Sequence, residues 1–482
     1  MPHAATEKRT KIVATLGPAS ANRETFSKMV QAGLNAVRLN FSHGDHHSHA
    51  ETVAMVRAVS REMGLSIPII GDLRGPHIRV GDVENGHVQL SDGQTFILTP
   101  QKIVGNAEMV SVSFPNLAND LKIGSQLLID DGSIQMRVTK LHADGRIEGV
   151  IEHGASLSSR RGINVPGVNL SLPPLTQKDL QDIDFAIEQN LDFLALSFVQ
   201  SASDIQTLKT ILAAKDSDIA VIAKIEMSGA VNDIERIVQE SDAVMVARGD
   251  LALEMSFKEI PIAQKRIIAT CRKHAVPVIT ATQMLESMVS ANKPTRAEVT
   301  DVANAIFDGT DAVMLSGETA IGQYPVETIA TMSRIAARAE AAWRTGEVPR
   351  PPEIIPEGNT EQVISYYGAI TPQYLKIAAI VTYTRTGSTA RRTSRFRPDP
   401  PILALTPNPR TCHQLGLCWG VYSETIDDSG SAEGLIDAAT AHALRMGKAQ
   451  PDDYVVVTAG NPNGPPGNTS LISIEQVRQR DA

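Results

Sequence analysis

The chain has 482 residues, of which 42% are hydrophobic, 21% charged and 4% aromatic. That is material for about two to four domains with mainly aliphatic cores. A net charge of −9 excludes a general polyanion binder, so nucleic acid is not an expected partner.

The three cysteines, Cys271, Cys412 and Cys418, form no CxxC pair and cannot all pair within one chain. They point to a reducing compartment. There is no run of about 18 apolar residues to predict a membrane span. The first eleven residues are polar and lack the apolar core of a signal peptide, so a cytoplasmic location without membrane partners is expected.

Short β-branched runs occur at 11–16, 36–40, 67–73, 193–199, 219–226, 243–250, 276–283 and 312–318. Runs of this kind suit strands buried on both faces. Helical stretches alternate with them at 22–33, 47–64, 176–190, 202–215, 229–240, 257–274, 295–308 and 325–344. Two of these open with capping boxes, Thr176 with Asp179 and Thr295 with Glu298. The alternation predicts right-handed βαβ units, and eight in succession predict a TIM (β/α)8 barrel over 1–75 and 173–345.

The rhythm breaks at 76–172, where Asn85-Gly86, Asp92-Gly93, Asp131-Gly132 and Asp144-Gly145 punctuate alternating runs. These are hairpin signals, and they predict an inserted β-barrel lid domain at the catalytic end of the barrel. A proline-rich linker at 348–356 leads to a C-terminal α/β domain over 357–482. Four strands are predicted there, at 376–383, 401–406, 420–424 and 453–458. Helices are predicted at 360–372, 388–396, 408–417 and 432–446.

In such a barrel the chemistry gathers at the C-terminal strand ends. Those ends carry Arg38, Asn40 and Ser42, then Asp72, then Lys224 and Glu226, then Asp250, then Thr280 and Thr282, and finally Ser316 and Glu318. Any one of them could be a solvated loop residue. Their convergence instead requires pairing or a charged ligand. Glu226 and Asp250 are hard oxygen donors suited to Mg²⁺ or Mn²⁺. Alternatively they are spent on Lys224 and Arg248. Lys224 is a Schiff-base nucleophile or a fixed charge, and the neighbouring Glu226 favours the latter. Arg38 and Arg79 are natural phosphate forks. Gly249 and Asp250 offer backbone N–H groups at a helix start. Of the histidines at 43, 46, 47 and 49, His43 lies nearest the site.

As strings, these stretches resemble the pyruvate kinase family. They are TKIVATLGPAS (10–20), RLNFSHGDH (38–46), GDLRGPHIRVG (71–81), NVPGVNLSLP (164–173), AKIE (223–226), VMVARGDLALE (244–254), ITATQMLESM (279–288), NKPTRAEVTDVANA (292–305) and DAVMLSGETA (311–320). The resemblance implies phosphoryl transfer from phosphoenolpyruvate to ADP, giving pyruvate and ATP in the last step of glycolysis. It implies that Glu226 and Asp250 hold the divalent metal, Lys224 stabilises the transferring charge and Arg38 holds the phosphate. Gly249, Asp250 and Thr282 would take the carboxylate, with Thr282 and Ser316 near the protonation path. Thr15, His43, Arg79 and Arg161 match nucleotide-contacting positions, and family members are usually homotetramers.

Three departures stand out. The monovalent-cation oxygens of Asn40, Ser42, Asp72 and the Leu73 carbonyl are kept, yet Leu73-Arg74 replaces Thr-Lys and His77 replaces a glutamate. Weak or absent potassium dependence is expected, made pH-sensitive by His77 near pH ~6.5. The stretch Thr384, Arg385, Thr386, Gly387, Ser388 and Thr389 resembles a sugar-phosphate effector loop, whereas 459–462 lacks the Trp-Arg of fructose-1,6-bisphosphate-regulated relatives. A phosphosugar or AMP effector is expected. Ala252 replaces a glycine, with little effect if its φ is negative. The alternatives are a metal-dependent aldolase or lyase on pyruvate-like substrates and a non-catalytic phosphometabolite sensor.

Overall fold

The computed structural model describes residues 8–356, 358–427, 431–460 and 469–478. Eight parallel strands close in chain order: Lys11–Thr15, Ala36–Asn40, Ile69–Asp72, Phe193–Leu196, Ala220–Ile225, Ala243–Ala247, Val278–Ala281 and Ala312–Leu315. The first and last strands pair from Lys11 opposite Ala312 to Ala14 opposite Leu315. Strand alternation divides the residues between two cores. In the fifth strand Val221, Ala223 and Ile225 pack outward against the helices, while Ala220 and Ile222 fill the barrel. The next inward position is Lys224, at the open end. Alanines and methionines such as Ala195, Ala243, Met245 and Met314 line the interior, in keeping with the scarcity of aromatics.

Both expected capping boxes form. Thr176 accepts from Asp179 N while Asp179 reaches back, and Thr295 and Glu298 do the same. Four strand runs stop two or three residues earlier than their composition predicts. The fourth ends at Leu196, the sixth ends at Ala247 and turns directly into the helix Arg248–Glu254, the seventh ends at Ala281, and the eighth ends at Leu315 before the short helix Gly317–Ala320.

The inserted segment is a curled seven-stranded sheet. Its edges meet through a single bridge between Val80 and Val112, so it is a partly closed barrel. Two of the four turn signals make hairpins. Asp131-Gly132 joins Gln126–Ile129 to Ile134–Leu141, and Asp144-Gly145 joins the latter to Ile147–His153. Asn85-Gly86 and Asp92-Gly93 also turn the chain, but His87–Gln89 between them pairs with Ser156–Ser158 in a separate ribbon.

The C-terminal unit is a five-stranded sheet in the order Val421–Thr425, Ile402–Thr406, Ile377–Tyr383, Tyr454–Gly460, Thr469–Gln476. The last strand was not expected from the sequence. It is antiparallel, lies at the edge and buries only every second side chain at most. This unit seals the barrel floor. Leu417 joins the interior core, and Glu340 accepts from Arg9 N at 2.6 Å and Trp419 Nε1 at 3.3 Å. Asp311 Oδ1 accepts from Arg397 Nη1 at 3.0 Å and Trp419 N at 3.1 Å, and its Oδ2 from Val278 N at 3.1 Å. Arg397 and Asp311 are both buried.

Removing one partner of a buried pair strands the other charge. Asp311→Ala is therefore expected to cost about 3–5 kcal/mol, read as an earlier first transition in urea unfolding.

Candidate active site

The open end of the barrel gathers charge from four strand ends. Lys224 Nζ donates to Ser197 Oγ at 2.6 Å. It lies 2.8 Å from Glu226 Oε1 and 3.2 Å from Asp72 Oδ1. Its three donors therefore meet three acceptors. Arg38 Nε donates to Asp72 Oδ2 at 2.6 Å, and its Nη1 to Thr15 Oγ1 at 3.0 Å. Both cations point inward by the alternation of their strands.

The electrostatics follow from burial. Burial pulls against the charge on Lys224, but Asp72 and Glu226 outweigh it and hold the ammonium above the ordinary lysine range. Burial likewise opposes charge on Asp72, and the Arg38 and Lys224 charges keep it below the usual carboxylate range. Glu226 is pushed up to about 7 by burial, with Asp250 adding to the push and Lys224 opposing it. Asp250 is raised by burial and by Asp72 and Asp131.

Arg248 does not neutralise these carboxylates. It donates to Asp301 at 2.7 Å and to the Thr282 carbonyl at 2.8 Å, and Asp250 has no ion pair among the described residues. Lys224 and Arg38 thus face Asp72, Glu226 and Asp250, an excess of negative charge. That donor set fits a hard divalent cation.

Thr282 has φ +71° and Gln283 +54°, uncommon values that for a β-branched residue mark strain at a functional turn. The turn brings the Thr282 hydroxyl to 2.8 Å from the Gly249 N–H, whose hydrogen it accepts. Thr280, by contrast, faces outward and donates to Thr310. Glu318 is fully buried and structural, accepting from Ser316 N at 2.7 Å and Leu285 N at 3.1 Å. Ser316 sits at the head of that turn. Ala252 lies inside the helix Arg248–Glu254 without a positive φ, so the replaced glycine carries no conformational demand.

The four expected nucleotide positions divide. Arg79 and Arg161 line a cavity of about 210 Å³ between lid and barrel, together with Asp130, Asp131, Asp250 and Glu254. Thr15 is buried against Arg38, and His43 is exposed with its carbonyl accepting from His49. Of the monovalent-cation oxygens, Asn40 Oδ1 accepts from Ser42 N at 3.1 Å. The Leu73 carbonyl accepts from Ser197 Oγ at 2.8 Å, and Asp72 is bonded to Arg38 and Lys224.

The expectation that His77 titrates near pH ~6.5 is corrected. Burial against Phe198, with Arg79 and Arg74 nearby, lowers its pKa to about 4.

In the C-terminal unit, Thr384 and Thr389 are buried, and Thr389 bonds Thr469 at 2.7 Å. Thr386 and Ser388 bond each other at 3.3 Å, Arg385 offers its carbonyl to Thr411, and Gly387 turns at φ +81° into the helix Ser388–Ser394. Asn461 and Pro462 of the tail motif lie outside the described residues.

Sequence reasoning missed Ser197 and Phe198. Phe198 N donates to Glu226 Oε2 at 2.6 Å from a strained φ of +56°. The polar end of the fourth strand run was the available signal for Ser197.

The profile described as "Pyruvate kinase, barrel domain" matches residues 7–329, and that described as "Pyruvate kinase, alpha/beta domain" matches 363–475. A pyruvate kinase of Geobacillus stearothermophilus is 41% identical over 98% of this chain and 81% of its own length. Pyruvate kinase 2 of Synechocystis is 43% identical over 98% and 80%. A solved pyruvate kinase from Cryptosporidium parvum has a TM-score of 0.90 at 36% identity, covering 98% of this chain and 97% of that one.

Losing a hydrogen bond to a charged group costs about 1.5–3 kcal/mol. Ser197→Ala is therefore expected to lower kcat roughly 10–100-fold with a smaller change in KM, measured in steady-state kinetics.

Proposed function

The chain belongs to the pyruvate kinase family and transfers a phosphoryl group from phosphoenolpyruvate to ADP, and we propose that the Lys224 cluster performs this step. The aldolase and sensor readings are not favoured. The observation that carries the proposal is the ammonium of Lys224 held between Asp72, Glu226 and Ser197.

Arg38 grips the phosphoryl group as a fork. Lys224 takes up the charge that spreads between that group and the enolate oxygen, in a setting already organised for it. Gly249, Asp250 and Thr282 hold the substrate carboxylate end. Thr282, backed by Ser316, lies on the proton route to the enolate carbon. The ADP phosphates reach Arg79 and Arg161 from the lid, with Thr15 and His43 on the barrel side.

The family uses a divalent metal, and Glu226 and Asp250 would hold it as Mg²⁺ or Mn²⁺ here. When bound it supplies Lewis-acid polarisation of substrate oxygens. Glu226 and Asp250 would spend their excess negative charge on it, leaving Lys224 and Arg38 free to attract an anionic substrate.

Potassium has a weak role or none. The Asn40, Asp72 and Leu73 oxygens already accept internal donors. Residues 1–75 with 173–345 form the catalytic domain, 76–172 the lid and 357–482 the regulatory domain.

The loop Thr384–Thr389 binds a phosphosugar or AMP through Thr386, Ser388 and backbone N–H groups turned by Gly387. Titrating activity with AMP, ribose 5-phosphate, glucose 6-phosphate and fructose 1,6-bisphosphate tests this, and silence to all four rejects it.

The protein assembles as a homotetramer in the cytoplasm. Apolar faces at Phe257 and Ile262 on the barrel, and at Tyr374 and Ile474 on the C-terminal unit, are exposed in the single chain. Among the described residues no helix is long and apolar enough to cross a membrane.

Two outcomes are expected. Glu226→Gln and Asp250→Asn should each weaken Mn²⁺ binding about tenfold or more by electron paramagnetic resonance, and unchanged affinity in both sinks the metal assignment. Turnover in tetramethylammonium should stay within about threefold of that in potassium, and this ratio should be flat from pH 6 to 8, because His77 with a pKa of about 4 is neutral throughout.

A further inference from the structure

Glu254 ends the helix Arg248–Glu254, one turn beyond Asp250 and on the same side. Both side chains line the cavity between lid and barrel. Glu254 is only 4% exposed, and neither carboxylate oxygen has a hydrogen-bond partner among the described residues. Buried carboxylates are normally paired, so an unpartnered one needs an explanation. The Asn164 amide and the Gly167 N–H, both on the lid's return path, are close enough to favour its charged form, yet burial outweighs them and holds the group near 7. Leu253 approaches Gly132, at a lid hairpin tip, so this helix end faces the lid at two points. Among the described residues no three ligating side chains converge here, so a second metal site does not explain the carboxylate.

We propose that Glu254 is a positioning residue. As the lid closes, its carboxylate accepts hydrogen bonds from the Asn164 amide and the Gly167 N–H. That latch fixes the helix presenting Gly249 and Asp250 to the substrate. A lid contact at the far end of a seven-residue helix is thereby passed one turn back to the reacting centre. The inference rests on the assignment of Asp250 to the divalent ion.

The test uses the full chain carrying Glu254→Ala, Glu254→Gln or Asn164→Ala. Steady-state constants are measured, together with amide hydrogen exchange over residues 160–170 with and without Mg²⁺, pyruvate and ATP. Glu254→Ala is expected to lower kcat about tenfold or more, to leave KM for phosphoenolpyruvate within about threefold, and to erase the substrate-induced protection at 160–170. Glu254→Gln keeps a carbonyl acceptor and should recover part of both, and Asn164→Ala should reproduce part of the loss from the lid side. If Glu254→Ala does not fold, the other two variants decide.

A kcat within twofold of the parent, or protection retained while activity falls, overturns the latch. Mn²⁺ affinity in Asp250→Asn is read separately, so failure of the metal assignment is distinguishable from failure at Glu254.

Discussion

One ammonium group organises this molecule's working end. Lys224 is buried, and a buried cation survives only if its protons are matched by acceptors. Here Ser197, Glu226 and Asp72 supply them. Arg38 then leans on Asp72, and Glu226 is left with Asp250 as its neighbour and too little positive charge to satisfy both. The cluster is incomplete as protein alone. On the proposed assignment a divalent cation and an anionic substrate complete it, the two things a phosphoryl transfer brings together.

The barrel makes this arrangement affordable. Alternation along the fifth strand sends Ile222 into the interior and Lys224 to its mouth without any special geometry. Just past the strand ends, at Phe198 and at Thr282 and Gln283, backbone in the left-handed region aims an N–H at Glu226 and a hydroxyl at Gly249. At the opposite end the C-terminal unit closes the floor through Leu417 and the Asp311–Arg397 pair. The C-terminal unit thus touches the barrel at the end opposite the Lys224 cluster.

Much of this was legible in the sequence because period-two runs and capping boxes are local signals. Lys224 and Glu226 could be placed on one face by spacing alone, and they lie 2.8 Å apart. Of the two threonines at the seventh strand end, Thr280 is turned outward by strand alternation, and only Thr282, past the strand at positive φ, reaches Gly249. Local signals fell short at Asn85-Gly86 and Asp92-Gly93, where a turn signal says that the chain reverses but not which strands will pair. Glu254 stayed hidden for a different reason. A glutamate at a helix end looks ordinary until its burial and partners are known. The neutral state of His77 likewise depends on packing against Phe198 that no string of letters encodes.

The most direct test replaces the ammonium without its bulk. Lys224→Met should retain Mn²⁺ and phosphoenolpyruvate binding within about fivefold while phosphoryl transfer to ADP falls by roughly three orders of magnitude or more, the scale expected when a preorganised charge is lost from a transition state. Product formation within tenfold of the parent enzyme would contradict the account.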